Sequence, residues 1–381
     1  MADKLPIYLD YNATTPVLPE VVDAMLPYLR EHFGNPSSSH IYGKRAREAV
    51  EEARRNISSL LNCDPAEIIF TSGGTESNNL AIRGVAQALP SKKHIVTSTV
   101  EHPATKNPCN FLEKQGYEVT RIPVDQFGRV SADEIAPFLR GDTAVLTVMH
   151  ANNETGSIMP ISEIASLARK KGIIFHTDAA QSAGKISVDV NELGIDLLSI
   201  AGHKLYAPKG VGALFVRAGT PIAPFALGAG HERGLRPGTE NVASIVALGV
   251  AAYIAAETQK KESKRIRGLR EKFWALLKKG IPELALNGHP EERLPNTLNI
   301  RLPGVSGRAL LSRVAAEFSA SAGSACHEGG SETPSDVLTA MGIPAKSALG
   351  ALRLSLGKFT KEPDIEIAAT AIIREWNKMA R

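Results

Sequence analysis

Cysteine is scarce. The three in 381 residues, Cys63, Cys109 and Cys326, are too few and too scattered for a disulfide framework or a zinc site. Their scarcity predicts reduced thiols and a cytoplasmic protein, and leaves open which cysteine, if any, works. Charge of one sign is also missing. Forty-four Lys and Arg stand against 40 Asp and Glu, a net charge of +4 from dispersed residues. That balance has no electrostatic footprint for nucleic acid. No uncharged apolar run reaches the roughly 18 residues of a membrane span. Residues 1–6 lack the apolar stretch of a secretory signal. Neither the Walker spacing nor Gly-x-Gly-x-x-Gly occurs at the one glycine turn that follows a strand pattern, so a nucleotide is not the favoured ligand there.

What is present reads as an ordinary globular composition, 43% apolar and 22% charged, in a chain too long for one hydrophobic core. Apolar residues at helical spacing over 44–61 predict a helix. A strand, a glycine turn and a helix start then follow in Glu67-Ile-Ile-Phe-Thr-Ser-Gly-Gly-Thr-Glu-Ser-Asn-Asn-Leu80. Backbone N–H groups at such a helix start suit a phosphate, although this turn alone is a weak signal. Strand and helix patterns alternate through 94–98, a helix after Pro103, 117–121, 131–139, 143–149, a helix over 161–171 and a strand over 173–178. The alternation predicts an α/β fold with a largely parallel sheet and helices on both faces. Ligands of such sheets sit outside the C-terminal strand ends. His102, Asn153, Asp178, Gln181 and His203 all fall just past predicted strand ends.

The chemistry centres on Lys204. A buried strand over 195–200 precedes it, Gly202 and His203 flank it, and a second strand over 212–216 follows. Desolvation lowers the proton affinity of a lysine, and a neutral amine can form a Schiff base with a carbonyl. The preceding strand ends in Asp178, with Gln181 three residues on. A lysine for an aldehyde and an aspartate for a pyridinium nitrogen are the two fixtures that pyridoxal phosphate requires. Either residue alone reads as a paired structural charge; at two successive strand ends they point to the cofactor.

Three loops remain. Phe33-Gly-Asn-Pro-Ser-Ser-Ser39 is rich in turn formers and near a cleft could hold a ligand carboxylate. Gly228-Ala-Gly-His-Glu-Arg-Gly-Leu-Arg-Pro-Gly-Thr-Glu-Asn241 reads as an exposed loop or as an anion-binding or subunit-contact loop. The helical stretch 242–279 is Ala-rich at first and then basic, with the charges on a solvated face of a helix linking two domains. Beyond it, short strands (296–301, 351–356) alternate with helices (307–317, 363–379), as in a small α+β domain. Between these lies 319–334, dense in Ser, Ala and Gly and carrying Cys326. Inert buried cysteines pack among branched apolar residues, so this composition predicts a mobile loop with a reactive thiol.

Together these stretches resemble the cysteine desulfurases of the aminotransferase class-V group of pyridoxal-phosphate enzymes, with selenocysteine lyases as near relatives. The resemblance runs from Tyr8-Leu-Asp-Tyr-Asn-Ala-Thr-Thr-Pro16 to Leu352-Arg-Leu-Ser-Leu-Gly357. It rests on Thr71-Ser-Gly-Gly-Thr-Glu-Ser-Asn-Asn79, Asn152-Asn-Glu-Thr-Gly156, Gly202-His-Lys204 and Ser321-Ala-Gly-Ser-Ala-Cys326. It implies the fold type I of these enzymes, with a mainly parallel seven-stranded sheet in a large domain (15–257). A small α+β domain (1–14 and 258–381) would carry the cysteine loop at about 320–334.

The resemblance also implies roles. Lys204 would form the Schiff base with pyridoxal 5'-phosphate, Asp178 would keep the ring nitrogen protonated, and Gln181 and Asn153 would contact the ring hydroxyl. His102 would stack on the ring and exchange protons with the substrate thiol. Gly74, Thr75 and His203 would bind the phosphate, joined by Thr239 from the partner in a homodimer. Arg353 and Asn35 would hold the carboxylate of L-cysteine or L-selenocysteine, and Cys326 would accept sulfur as a persulfide. An acceptor protein, such as an iron–sulfur scaffold, would take that sulfur onward. One position departs from the pattern. Two residues before His203, where the desulfurases usually carry a serine on the phosphate, stands Ala201. That change, together with Arg236-Pro-Gly-Thr-Glu-Asn241 and Ala151-Asn-Asn-Glu-Thr-Gly156, leans toward selenocysteine lyases, which release selenide and alanine.

Overall fold

Five-residue apolar runs, too short for helices and too continuous for a one-sided strand, form the centre of the computed structural model, which describes residues 5–322 and 333–380. After a short strand β1 (Ile7–Tyr8) come β2 (Ile68–Thr71), β3 (His94–Ser98), β4 (Glu118–Ile122), β5 (Thr143–Thr147), β6 (Ile174–Asp178), β7 (Leu197–Ala201) and β8 (Gly212–Val216). Strands β2 to β8 make one sheet in the order β2-β8-β7-β6-β5-β3-β4. All are parallel except β8, which runs antiparallel to both neighbours. The connection 202–211 is too short for the crossover of about a dozen residues that parallel strands need, so the chain must turn back there.

Alternate residues of each strand enter different cores, as the two-residue period requires. Ile69, Ile95, Val145, Leu197 and Leu214 pack with Leu80, Val85 and Leu112 from the helices Gly74–Ala88 and Pro103–Glu113. Their neighbours Phe70, Val96, Leu146, Leu198 and Phe215 pack on the other face with Ile57, Ile164 and Leu248.

A separate core gathers Leu9, Phe273, Leu277, Leu298, Leu352 and Ile365. It lies over a small antiparallel sheet of β9 (Ala285–Asn287), β10 (Thr297–Arg301) and β12 (Ala351–Ser355). β11 (Phe318–Ser319) pairs in parallel with β1 and ties the start of the chain to this core. The helix Val242–Gly280 serves both cores. Its first half buries Ala247, Leu248 and Ala251 against the helix Ile41–Leu61, and its second half buries Ile266, Phe273 and Leu277 in the smaller core. The two helices meet closely at Gly249, where a Cβ would stand 2.4 Å from the Ala53 Cα. This helix is long and apolar enough to cross a membrane by length and composition, but half of that stretch is buried within the fold. Packing against Ile41–Leu61 accounts for its apolarity.

Candidate active site

A cavity of about 380 Å³ opens where the C-terminal ends of the parallel strands meet the helix Gly74–Ala88. His102, Asn153, Asp178, Gln181, His203 and Lys204, read from strand ends, and Gly74, Thr75 and Arg353, implied by the resemblance, all line it. Ala201 lines it too.

Lys204 closes a single 3-10 turn, Gly202–Lys204, directly after β7. Its Nζ donates to the carbonyl of Ala13 at 2.6 Å and to that of Asn12. Burial first, and then the charge of Arg353, lower its pKa to about 8. A neutral amine is therefore within reach near neutral pH. His203, beside it, has Nδ1 3.2 Å from the Thr14 hydroxyl, and burial followed by repulsion from Lys204 pushes it down to about 4. It is a neutral imidazole at working pH.

Asp178 ends β6 and is only 8% exposed. Its Oδ2 accepts from Asn78 Nδ2 at 2.7 Å and its Oδ1 from the Ala180 N–H at 2.9 Å. Asn78 also donates to the Thr105 hydroxyl, which fixes the aspartate from behind. His102 caps the helix Pro103–Glu113, its Nδ1 accepting from the Ala104 N–H at 3.1 Å. In the neutral ring the proton is therefore on Nε2. Burial lowers the pKa of His102, against the pull of Asp178, and so favours the neutral form.

Gly74 and Thr75, at the start of the helix Gly74–Ala88, line one side of the cavity. Gly73 has φ +148°, a conformation that favours glycine, and turns the chain from β2 into the helix. The first N–H groups of that helix have no carbonyl of their own helix to bond. Opposite them, Arg353 arrives from β12, with Nη2 2.8 Å from Asp10 Oδ1 and Nη1 donating to the Asn153 carbonyl at 3.1 Å. Its Nε is buried without a partner among the described residues.

Not every expected residue is here. Asn35 is exposed on its own loop, its Oδ1 accepting from the Ser37 N–H. Thr239 is exposed on the glycine-rich loop, and neither residue lines the cavity. The two loops lie together, with Ser37 Oγ 3.2 Å from His231 Nε2. Cys326 lies outside the described residues.

Several site residues were not singled out from the sequence. Asn12 is 1% exposed, and its carbonyl receives both Lys204 Nζ and Gln181 Nε2. Asn78 and Asn12 both sit inside motifs that carry the family resemblance, and nothing else in the sequence marks them. Glu101 is buried under the site, accepting from the Ser98 hydroxyl at 2.6 Å and from the Met149 N–H. Burial first, with a smaller contribution from Asp178, raises its pKa from 4.5 to about 8. The folded state thus holds this proton more tightly than the unfolded chain. The stability that proton contributes is complete below about pH 4.5 and is lost as pH rises through about 8. Glu101→Gln, an isostere that cannot ionise, is expected to match the parent at pH 5. At pH 9 it should be more stable by about 2–4 kcal/mol. Urea unfolding of both proteins at the two pH values measures this, and parallel pH profiles would refute it.

The aminotransferase class-V family matches residues 7–367. The cysteine desulfurase IscS of Dictyoglomus turgidum is 48% identical over 378 residues, 99% of this chain and 96% of its own. The cysteine desulfurase NifS of Azotobacter vinelandii is 46% identical, over 98% of this chain and 92% of its own. Among solved structures, a NifS-like protein superposes with a TM-score of 0.91 at 34% identity, over 98% of this chain and all of the other. A structure described as SspA in complex with cysteine superposes with a TM-score of 0.80 at 37% identity, over 93% of this chain and all of the other.

Proposed function

The chain belongs to the aminotransferase class-V family, and on that premise we propose that it is a pyridoxal-phosphate-dependent cysteine desulfurase whose reaction runs in the cavity around Lys204. One observation carries the reading. A lysine amine and a buried carboxylate, Lys204 and Asp178, face one cavity from consecutive parallel strands, with a helix N-terminus beside them.

The residues present fit the cofactor. Gly74 has no side chain where it meets β7; a Cβ there would stand 3.2 Å from the Ala201 Cβ and fill the cradle. Asp178 would hold the ring nitrogen, Gln181 and Asn153 the ring hydroxyl, and His102 one face. Gly74, Thr75 and His203 would hold the phosphate. When bound, pyridoxal phosphate supplies an aldehyde for amine exchange and a protonated ring that draws electron density from the substrate Cα.

The protein supplies the rest. Arg353 offers a planar fork for the substrate carboxylate, which must compete with Asp10 for it. Lys204, released as an amine, takes the Cα proton, since its depressed pKa matches that task. His102, neutral with its proton on Nε2, exchanges a proton with the substrate thiol. The Cys326 thiolate attacks the substrate sulfur: the S–S bond forms, the Cβ–S bond breaks, and a proton completes the methyl group of alanine. One cysteine and one protein thiol thereby become one alanine and one persulfide, with no external oxidant. A sulfur-acceptor protein, such as an iron–sulfur scaffold, then removes the terminal sulfur. Selenocysteine lyase is the second reading, favoured by Ala201 with the stretches 236–241 and 151–156; the similar proteins are named as cysteine desulfurases.

The two cores support a division into a large domain, 15–257, and a small one, 1–14 with 258–381. A homodimer is supported by exposed apolar residues near the Asn35 loop. Phe33 and Tyr42 stack with centroids 5.6 Å apart while staying 75% and 55% exposed. In that dimer Thr239 would reach the partner's phosphate site. The cysteine usage suits the cytoplasm. Incubation with L-cysteine, followed by quantification of alanine and protein-bound persulfide, tests the whole reading; absence of both from the yellow holoenzyme would reject it.

Ala201→Ser places a hydroxyl beside the helix N-terminus, in the position that Gly74 leaves open. It is expected to slow loss of the cofactor on dilution by up to about tenfold, the effect of one hydrogen bond. Unchanged retention would mean that another group already fills that role.

A further inference from the structure

Lys185 takes no part in the mechanism above, yet it is wired to the centre of the site. It lies in the turns that follow β6 and is half-buried, at the edge of a second, smaller cavity that also touches Lys204. Its Nζ donates to Gln181 Oε1 at 3.0 Å. Gln181 in turn donates from Nε2 to the Asn12 carbonyl at 3.0 Å, and that same carbonyl accepts from Lys204 Nζ. A side-chain amide has an accepting end and a donating end of nearly equal size, so its direction is set by its partners. The Asn12 carbonyl, which also accepts from Lys204, calls for the amide nitrogen on its side, and Lys185 acts on the opposite end. A lysine ammonium can only donate, so the charged form of Lys185 admits only the amide oxygen on its side. The second hydrogen on Nε2 is then left for the cavity, which Gln181 lines. Burial, then repulsion from Lys204 and Arg353, lowers the Lys185 pKa to about 7; the neutral amine still donates but can also accept, so the constraint on Gln181 is firmest in the charged form.

We propose that Lys185 is a positioning residue: by donating to Gln181 Oε1 it keeps the Gln181 nitrogen turned to the cavity as a donor to the ring hydroxyl of the cofactor. The proposal rests on the cofactor reading given above. Loss of that donor should alter the electronic state of the bound ring, and therefore its visible absorption, as well as the rate of the chemical step. Substrate binding through Arg353 should be little affected.

The test is a double-mutant cycle on the holoenzyme with Lys185→Met, Gln181→Met and the pair together. Lys185→Met is expected to shift the balance of the cofactor's absorption bands and to lower kcat for alanine formation about tenfold, with KM for cysteine nearly unchanged. Gln181→Met should do the same. In the Gln181→Met background, adding Lys185→Met should change either quantity by less than about twofold, because the group it acts through is gone. Lys185→Arg, which keeps the donor, should retain most of the parent spectrum. If Lys185→Met does not fold, Lys185→Gln, too short to reach and still polar, replaces it in the same cycle. An unshifted spectrum, or an equal loss of kcat with and without Gln181, overturns the proposal. If the parent binds the cofactor but makes no alanine from cysteine, the desulfurase reading fails while the spectral cycle still decides the role of Lys185.

Discussion

Lys204→Ala is expected to lower alanine formation from cysteine by at least about 10³-fold, the scale of losing a positioned base that is also the cofactor's anchor. The magnitude follows from the environment of the amine. At pH 7.5 a lysine with the ordinary pKa of 10.5 would be neutral in about one molecule in a thousand; at about 8 the fraction is about one in four. Burial does most of this, and Arg353 adds to it. Lys204→Arg should be equally inactive, because a guanidinium keeps the charge but never becomes a nucleophile. That variant separates chemistry from a structural role for the charge. Borohydride should fix the yellow chromophore to the parent protein at Lys204 and to neither variant. Normal turnover by Lys204→Ala would remove the basis of the functional reading.

Much of this site was legible because an α/β sheet converts sequence position into place. A residue just past a buried strand belongs to the ligand face, whichever strand it follows. His102, Asn153, Asp178, His203 and Lys204 were found in that way, and they share one cavity. Arg353 sits on the small sheet instead and was assigned only through resemblance; the structure brings it to the same cavity. Asn12, Glu101 and Lys185 escaped notice for a different reason. Their meaning lies in partners far along the chain, as when the Asn12 carbonyl meets Lys204 Nζ, and nothing local marks such a pairing. The helix Pro19–Arg30 was not read from the sequence; it carries Pro27 within it, a residue that normally breaks a helix. The antiparallel direction of β8 was unread although the short connection before it already required it. Asn35 and Thr239 lie outside the cavity, on two adjoining exposed loops, where a single chain offers them no ligand.

Cys326→Ala is expected to cut alanine formation from cysteine by at least about 10²-fold while leaving the bound cofactor and its colour intact. The argument runs through the other two cysteines. Sulfur transfer needs a thiolate, and burial pushes the thiols of both Cys63 and Cys109 up to about 12. For Cys63 the carboxylates of Glu67 and Asp64 add to the effect, and for Cys109 that of Glu101 does. At neutral pH each is ionised in about one molecule in 10⁵, so neither serves as the attacking group. Cys109 is fully buried among Leu80, Leu112 and Val119 and does not line the cavity. Cys63→Ala and Cys109→Ala should therefore keep nearly full activity, and sulfur from labelled cysteine should settle on Cys326 alone. Selenocysteine provides the contrasting arm. A selenol is more acidic than a thiol and selenium leaves carbon more easily, so its release depends less on an attacking cysteine. Cys326→Ala should keep a much larger share of activity on selenocysteine than on cysteine. Full activity of Cys326→Ala on cysteine, or label settling on Cys63 or Cys109, would overturn the persulfide assignment.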